Sequence, residues 1–478
     1  MISPCLVDLL AIEPLSALAE SHHLRSFPTL VHPIFWNCRV CGLLALNGYG
    51  GAQDSLNAVD RLLNEKGTRL EKSKADTRND DLRVGTPLWV RTPHSTVVPQ
   101  KRLGRRHADV VIVGAGISGA LMAEALTRQG RDVLILDRRP PARGSTAAST
   151  AMIQHEIDVP LTRLQKQIGA RAANAAWRRS VRAVHDLTLM TGQLGIECSM
   201  QEKPALYIAG NLMGARALKT EAEARGKIGI EADYLDRAEL TGRYGIERPA
   251  AILSPASASA NPAQLAAGLL KVALQRKARL VTPVEITDMA ELSGGVALST
   301  SDGQIITADH AVFCTGYEYL RQMKTPAHHV TSTWALASRP MRDLPEWMTQ
   351  TIGWEAADPY LYFRTDPSGR IIAGGEDEDA GNTNSDTGKL ARKAAIIAKK
   401  LHDLTGVQIG KPAYTWAAPF SVTRDGLPMF DNVPGYKRIF TLMGFGGNGI
   451  TFSVIGAQII AARINGETDP DQHVFRFR

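Results

Sequence analysis

Three glycines and one carboxylate set the first chemical constraint in this chain. They stand as Gly114-Ala115-Gly116-Ile117-Ser118-Gly119, with Asp137 closing the apolar run that follows. The first glycine permits a tight turn, the second lets backbone approach a pyrophosphate, and the third lets a helix pack closely on a strand. That spacing supports capture of a dinucleotide. Unpaired N–H groups at a helix start, around Ile117 and Ser118, favour the phosphates, and the Asp137 carboxylate accepts hydrogen bonds from ribose hydroxyls. Arg138 and Arg139 come next and would suit a 2′-phosphate, but an acid at the strand end repels that added charge.

The flanking elements are what give the glycines their weight. "ADVVIV" (108–113) is a short, β-branched run, apolar but for Asp109 near its start, the pattern of a strand buried on both faces of a parallel sheet. Leu121, Ala125 and Leu126 continue at helical spacing until Gly130, and "DVLIL" (132–136) reads as the next strand. Strand, turn, helix, strand and acid therefore occur in the order a dinucleotide site needs.

A chain of 478 residues, 44% hydrophobic and 22% charged, has the composition of a soluble protein of two or three domains. Its net charge of +7 comes from scattered lysines and arginines with no long basic tract among aromatics, so a nucleic-acid partner is not expected. The five cysteines are odd in number and unevenly spread, which points to a reducing compartment and a cytoplasmic location. Cys38 and Cys41 form a C-x-x-C pair without the further ligands zinc requires. The N-terminus lacks a basic region and carries Asp8, Glu13 and Glu20, so it does not read as an export signal. No uncharged apolar run is long enough to span a bilayer, which leaves only peripheral membrane contact open. Residues 1–84 show no core pattern and are expected to form a poorly structured extension.

After Asp137 the stretch "RGSTAASTAMIQHEID" (143–158) places Gly144, Ser145, Thr146 and Ser149 where a second set of donors can track an extended cofactor. Four later segments are equally distinctive: "AVFCTGYE" (311–318), "YLYFRTDPSGRIIAGGEDED" (360–379), "WAAPFSVTRDGLPMFD" (416–431) and "FTLMGFGGNGITFSVIGAQIIAARI" (440–464). Together these pieces resemble the FAD-dependent D-amino acid oxidase superfamily, which includes glycine oxidase, sarcosine oxidase and γ-glutamylputrescine oxidase. The resemblance covers about residues 85–478.

The resemblance implies an α/β fold in which a Rossmann-type FAD-binding domain with a parallel sheet is interleaved with a sheet-rich α+β substrate domain. Residues 85–158, 256–324 and 416–478 would build the first, and residues 159–255 and 325–415 the second. It implies FAD as cofactor, with Val284 meeting the adenine through its backbone and Thr315 and Gly316 beside the adenosine. Gly446, Gly447, Asn448, Gly449 and Ile450 would present helix N–H groups to the pyrimidine end of the flavin.

The expected activity is oxidation of a C–N bond in an amine or amino acid, with hydride passing to the flavin and then electrons to oxygen or a carrier. Such chemistry needs an oriented neutral amine more than a strong acid or base. His155 falls near where the family places residues beside the flavin ring, though a lone histidine serves equally well as packing. Tyr360, Tyr362 and Arg364 alternate along a strand and share a face, either solvent or substrate. An aromatic pair beside an arginine suits an anionic or amine substrate. Where glycine oxidase carries the arginine that holds a substrate carboxylate, this chain has Phe420. An α-amino acid substrate is accordingly not favoured, and the pattern is closer to that of γ-glutamylputrescine oxidase. Two other readings remain open: a dehydrogenase passing electrons to a quinone or carrier, and a non-catalytic FAD-binding protein.

Overall fold

Alternate residues at 110–113 feed two separate cores, which is why this part of the run at 108–113 is apolar throughout. In the computed structural model, which describes residues 83–92, 96–379 and 386–478, this run lies in the strand His107–Val113. Val110 and Ile112 pack with the helices on one face, whereas Val111 and Val113 pack on the other. Burying each such side chain contributes roughly 1.5–3 kcal/mol. The strand sits between Val133–Leu136 and Ile305–Phe313, parallel to both. Arg279–Val281 extends the sheet beyond Val133–Leu136, and the antiparallel strands Val296–Thr300 and Ile286–Glu291 extend it on the other side. Ile439–Met443 pairs parallel with the far end of Ile305–Phe313 and antiparallel with Met429–Asn432. Helices Ile117–Arg128, Pro262–Gln275 and Gly449–Ile464 cover one face, contributing Leu121, Leu269 and Ile455 to its core.

A second, nine-stranded sheet runs in the order Val84–Gly85, Tyr414–Thr423, His328–Ala337, Ile371–Glu378, Leu361–Thr365, Ile352–Ala356, Ala205–Ala209, Ala250–Ser254 and Asp233–Asp236. The helix Thr387–Thr405 covers one of its faces with Leu390, Ala394, Ile397 and Leu401, spaced to form a single apolar stripe. Asp386 caps its start by accepting from the Lys389 N–H at 3.0 Å, and Gly406 ends it at φ +72°.

The two sheets draw on alternating stretches of chain. Strands at 107–136, 279–313 and 429–443 belong to the first, and strands at 205–254, 328–378 and 414–423 to the second. The boundary expected at 415/416 falls inside Tyr414–Thr423, which pairs with His328–Ala337 along its whole length. Val84–Gly85 likewise joins the nine-stranded sheet at its edge. Of the extension expected over residues 1–84, residues 1–82 lie outside the described residues, as do Cys38 and Cys41, while Val84 is held in this edge strand.

Candidate active site

A cavity of about 600 Å³ lies between the two sheets, within the size range of small-molecule sites. Its first end is the glycine turn. Gly114 sits at φ +115°, and a Cβ there would come within 2.4 Å of the Cys314 carbonyl oxygen. At Gly119 a Cβ would fall 1.9 Å from the Gly114 oxygen, so the helix can lie against the turn only without a side chain. Gly119 packs beneath the turn, while Gly114, Gly116, Ile117 and Ser118 line the cavity itself.

Asp137 also lines the cavity, held by the Ala115 N–H on one oxygen and the Arg139 N–H on the other, both at 2.7 Å. Burial raises its pKa against the pull of those two bonds. Gly144, Ser145, Thr146, Ser149, Thr315, Gly316 and Val284 continue the wall. The Thr146 hydroxyl oxygen accepts from the Ile117 N–H at 2.9 Å, and the Val284 N–H donates to the Asp137 carbonyl at 2.8 Å. Arg138 and Arg139 both pair with Glu318, and Arg138 also reaches Glu285 at 3.3 Å. Both guanidiniums are thus engaged by carboxylates at the ribose end, which gives a 2′-phosphate no advantage there. The bare glycine backbone, which any Cβ would fill, and the single carboxylate beside it fit an extended dinucleotide.

A second glycine cluster lines the same cavity. Gly446, Gly447, Asn448, Gly449 and Ile450 all line the cavity at the start of helix Gly449–Ile464. Asn448 anchors the turn by donating from its amide to the Glu156 carbonyl at 2.7 Å. One detail departs from the sequence expectation: the Gly447 N–H donates to Asp158 at 2.8 Å and so is already engaged. Asp158 lines the cavity with its side chain open to it, and desolvation by the surrounding protein raises its pKa. The Ser118 and Ser453 hydroxyls meet at 2.7 Å and tie the two helix starts together.

Tyr360 and Tyr362 line the stretch of wall contributed by the nine-stranded sheet, their rings 5.8 Å apart. Two glycines opposite make room for them. A Cβ on Gly374 would lie 2.3 Å from the Tyr362 hydroxyl, and one on Gly375 would lie 2.0 Å from the Tyr360 carbonyl oxygen. The Tyr360 hydroxyl donates to Asp377 Oδ2 at 2.7 Å. Burial pushes Asp377 up to about 6, and the charge of Asp158 adds to that push. Tyr207 and Trp354 stack at 4.1 Å elsewhere on the wall.

Asp158, Asp377, Tyr207 and Trp354 were not singled out by sequence reasoning. A signal for Asp377 existed in "GEDED": Glu376 and Glu378 pair with Lys389, Lys393 and Lys400 of the covering helix, whereas Asp377 and Asp379 line the cavity. Strand alternation sorts the four acids to opposite faces.

Two expected catalytic residues stand outside this cavity. Arg364 shares a strand face with Tyr362, but its guanidinium passes beyond the wall and donates to the carbonyls of Thr150 at 2.7 Å and Ala260 at 2.8 Å. It is buried over the Trp89 ring, 5.4 Å from the centroid, so it anchors the interface between the sheets and cannot grip a substrate acid. His155 is completely buried, its Nδ1 placed 2.9 Å from the Ala256 carbonyl and its ring edge on Trp177. Packing is its role, because neither neighbour is part of the cavity wall.

Burial pushes His155 down to about 4, and His328, buried with both ring nitrogens unpartnered among the described residues, down to about 4 as well. Each ring stays neutral in the folded chain but charges in the unfolded chain once pH drops below the ordinary value of 6.5. Stability should be whole above that value and fall as pH drops towards 4, by about 1.4 kcal/mol per pH unit for each ring. Asp377, still protonated in the folded chain up to about pH 6, acts in the opposite sense. Denaturant unfolding at about pH 7 and about pH 4.5 should therefore show a smaller difference for His155→Gln than for the parent. Equal differences would refute this assignment.

Residues 109–463 match the family model for DAO, the FAD-dependent oxidoreductases. A probable oxidoreductase of Haemophilus influenzae, OrdL, is 21% identical over 375 residues, 76% of this chain and 84% of its own length. Glycine oxidase from Geobacillus kaustophilus superposes with a TM-score of 0.66 at 19% identity, over 78% of this chain and 99% of that one. L-proline dehydrogenase from P. horikoshii reaches a TM-score of 0.66 at 18% identity, over 79% of this chain and 97% of its own. At such identities the structural likenesses speak for the fold alone. The family match spans both sheets and both glycine turns, and on that ground this enzyme belongs to the DAO family of FAD-dependent oxidoreductases.

Proposed function

We propose that the chain oxidises a C–N bond of a small amine or amino acid, passing hydride to FAD. The observation that carries this reading is a single cavity lined by the dinucleotide turn, the Gly446–Ile450 turn and the Tyr360–Tyr362 wall. Gly114, Gly116, Ile117, Ser118, Asp137 and the 144–149 loop would hold the adenosine and pyrophosphate, and Gly446 to Ile450 would border the flavin ring. Bound FAD supplies the two-electron acceptor. The protein's part is to orient the amine against the ring, keep it neutral and exclude water.

Phe420 lines the cavity, and by the resemblance to glycine oxidase it takes the place of a carboxylate-holding arginine, while Arg364 is committed elsewhere. Together these favour a substrate without a carboxylate at the oxidised carbon. The electrons then pass to oxygen or to a carrier. Among the described residues no helix is long and apolar enough to cross a membrane.

Purified protein should be yellow and release FAD, not FMN, on denaturation. Its absorbance near about 450 nm, a property of oxidised flavin, should bleach when an amine is added without air. Bound flavin that no amine or amino acid reduces would defeat the reading, leaving a binding protein. Rapid recovery of the colour on admitting air would make it an oxidase, and slow recovery a dehydrogenase.

A further inference from the structure

We infer that the arm at 83–92 is a clamp on the loop at 143–150, with Arg83 and Trp89 as positioning residues that act on FAD through the backbone of that loop. Their role depends on the cofactor alone, whichever amine is oxidised.

Gly144, Ser145, Thr146, Ser149 and Thr150 of the loop line the cavity, but its carbonyls are gripped from behind. Arg83 donates to the carbonyls of Arg143 and Gly144, and the Trp416 indole donates to that of Ala148 at 2.8 Å. The Trp89 indole takes the Ser149 carbonyl and Arg364 that of Thr150, both at 2.7 Å. None of these four donors lines the cavity. A peptide is planar and trans, so a carbonyl held to one side turns the following N–H to the other. With the donors behind the loop, that other side is the cavity. Arg83 in this way aims the N–H groups of Gly144 and Ser145, and Trp89 that of Thr150. An anionic dinucleotide is drawn to N–H groups and repelled by carbonyl oxygens.

The loop does not hold this shape unaided. Ala142 and Ala151 flank it at φ +56° and +51°, the left-handed region in which an alanine is strained. Such strain persists only where surrounding contacts impose it.

The arm is placed to impose it. Val84–Gly85 pairs antiparallel with Trp416 and Ala417, and a Cβ on Gly85, itself at φ +78°, would lie 2.3 Å from the Thr415 carbonyl oxygen. The short helix Leu88–Arg91 then buries Trp89 in one core with Trp416 and Ala148, and the Arg364 guanidinium lies over its ring. Three of the four donors are thus a single packed unit. Arg83 and Trp89 both precede residue 109, where the family match begins, so half of the clamp comes from outside the matched stretch.

The two arm residues act on different parts of the loop. Thr146 accepts from the Ile117 N–H, so Arg83, bonded just before it, works at the glycine turn. Thr150 hydrogen-bonds through its side chain with Tyr362, so Trp89 works beside the tyrosine wall.

Trp89→Phe keeps a buried ring and removes the N–H, and Arg83→Met keeps the length and removes the donor. FAD dissociation is read from the fluorescence released when the full-length holoenzyme is diluted. Each variant should bind FAD about three- to tenfold more weakly, the factor of one hydrogen bond, and Arg83→Lys should recover most of the loss. Displacement of FAD by ADP, with free FAD in excess, separates the two sites. In Trp89→Phe the ADP concentration needed should fall by the same factor, because ADP lacks the flavin half. In Arg83→Met it should stay at the parent value, because FAD and ADP are weakened together. Denaturant unfolding registers any loss of stability separately. Variants that lose stability yet bind FAD as the parent does would make the arm a structural brace and overturn the inference. Equal weakening of FAD and ADP in Trp89→Phe overturns the assignment of Trp89 to the tyrosine wall. If Trp89→Phe does not fold, Arg83→Met decides: unchanged FAD affinity, or no recovery with Arg83→Lys, overturns the clamp.

Discussion

Replacing Arg225 by leucine is expected to lower the unfolding free energy by about 3–5 kcal/mol, the cost of leaving buried carboxylates uncompensated. The arginine is fully buried between Glu156 at 2.6 Å and Glu221 at 3.0 Å, and both acids are fully buried themselves. Its guanidinium also lies over the Trp177 ring, 4.6 Å from the centroid. Every remaining oxygen has work to do. Glu221 accepts from the N–H groups of Leu161 and Thr162 at 2.8 and 2.9 Å, and Glu156 accepts from the Trp354 indole at 2.9 Å. This network holds the segment from Gln154 to Thr162 in place, and that segment contributes Gln154 and Asp158 to the cavity. Loss of stability should therefore be accompanied by weaker retention of FAD. Denaturant unfolding with and without added FAD measures both effects, and a loss below about 1 kcal/mol would show that the triad relaxes far more freely than its burial implies.

The second large effect is expected at the glycine turn. Gly119→Val places its first carbon 1.9 Å from the Gly114 oxygen and 3.4 Å from Ile112, with the turn backbone as the only group able to move. Overpacking of this kind costs about 1–3 kcal/mol or more, and here relief means distorting the turn that cradles the phosphates. The variant should be isolated with little or no FAD. Gly116→Ala is the informative companion, because its Cβ would meet only the Thr146 hydroxyl at 3.0 Å and would otherwise project into the cavity. It should fold normally and bind FAD more weakly. Full FAD occupancy in Gly119→Val would mean that helix and turn can separate without penalty to the site.

What the sequence disclosed, and what it did not, follows the range of the interactions. The turn at Gly114, Gly116 and Gly119 with Asp137 is legible because every constraint acts between adjacent elements. Spacing alone encodes it. The shared face of Tyr360 and Tyr362 is legible for the same reason, since alternation along a strand is local. Arg364 obeys that alternation too, yet its long side chain ends at Thr150 and Ala260, residues far away in the chain whose position no local pattern reveals. Asp377 faces Tyr360 only because Leu361–Thr365 pairs antiparallel with Ile371–Glu378. Asp158 reaches Gly447 across 289 positions of sequence. For the same reason the division at 415/416 misses the strand that crosses it: the composition of "YTWAAPFSVT" does not say which of two sheets it joins.

The alternation of the chain between two sheets also bears on how this protein is made. The nucleotide-binding sheet receives Ile439–Met443 beside Ile305–Phe313, and the turn at Gly446 to Ile450 follows immediately. During synthesis the pocket therefore stays open on one side until the segment from Ile439 to Ile450 has left the ribosome. A truncated product lacks the closing wall however well its first strands are paired. Retained yellow colour would then act as an inspection stamp: it marks polypeptides in which that wall has been made, and a purification that keeps only coloured protein discards those that stop short of it.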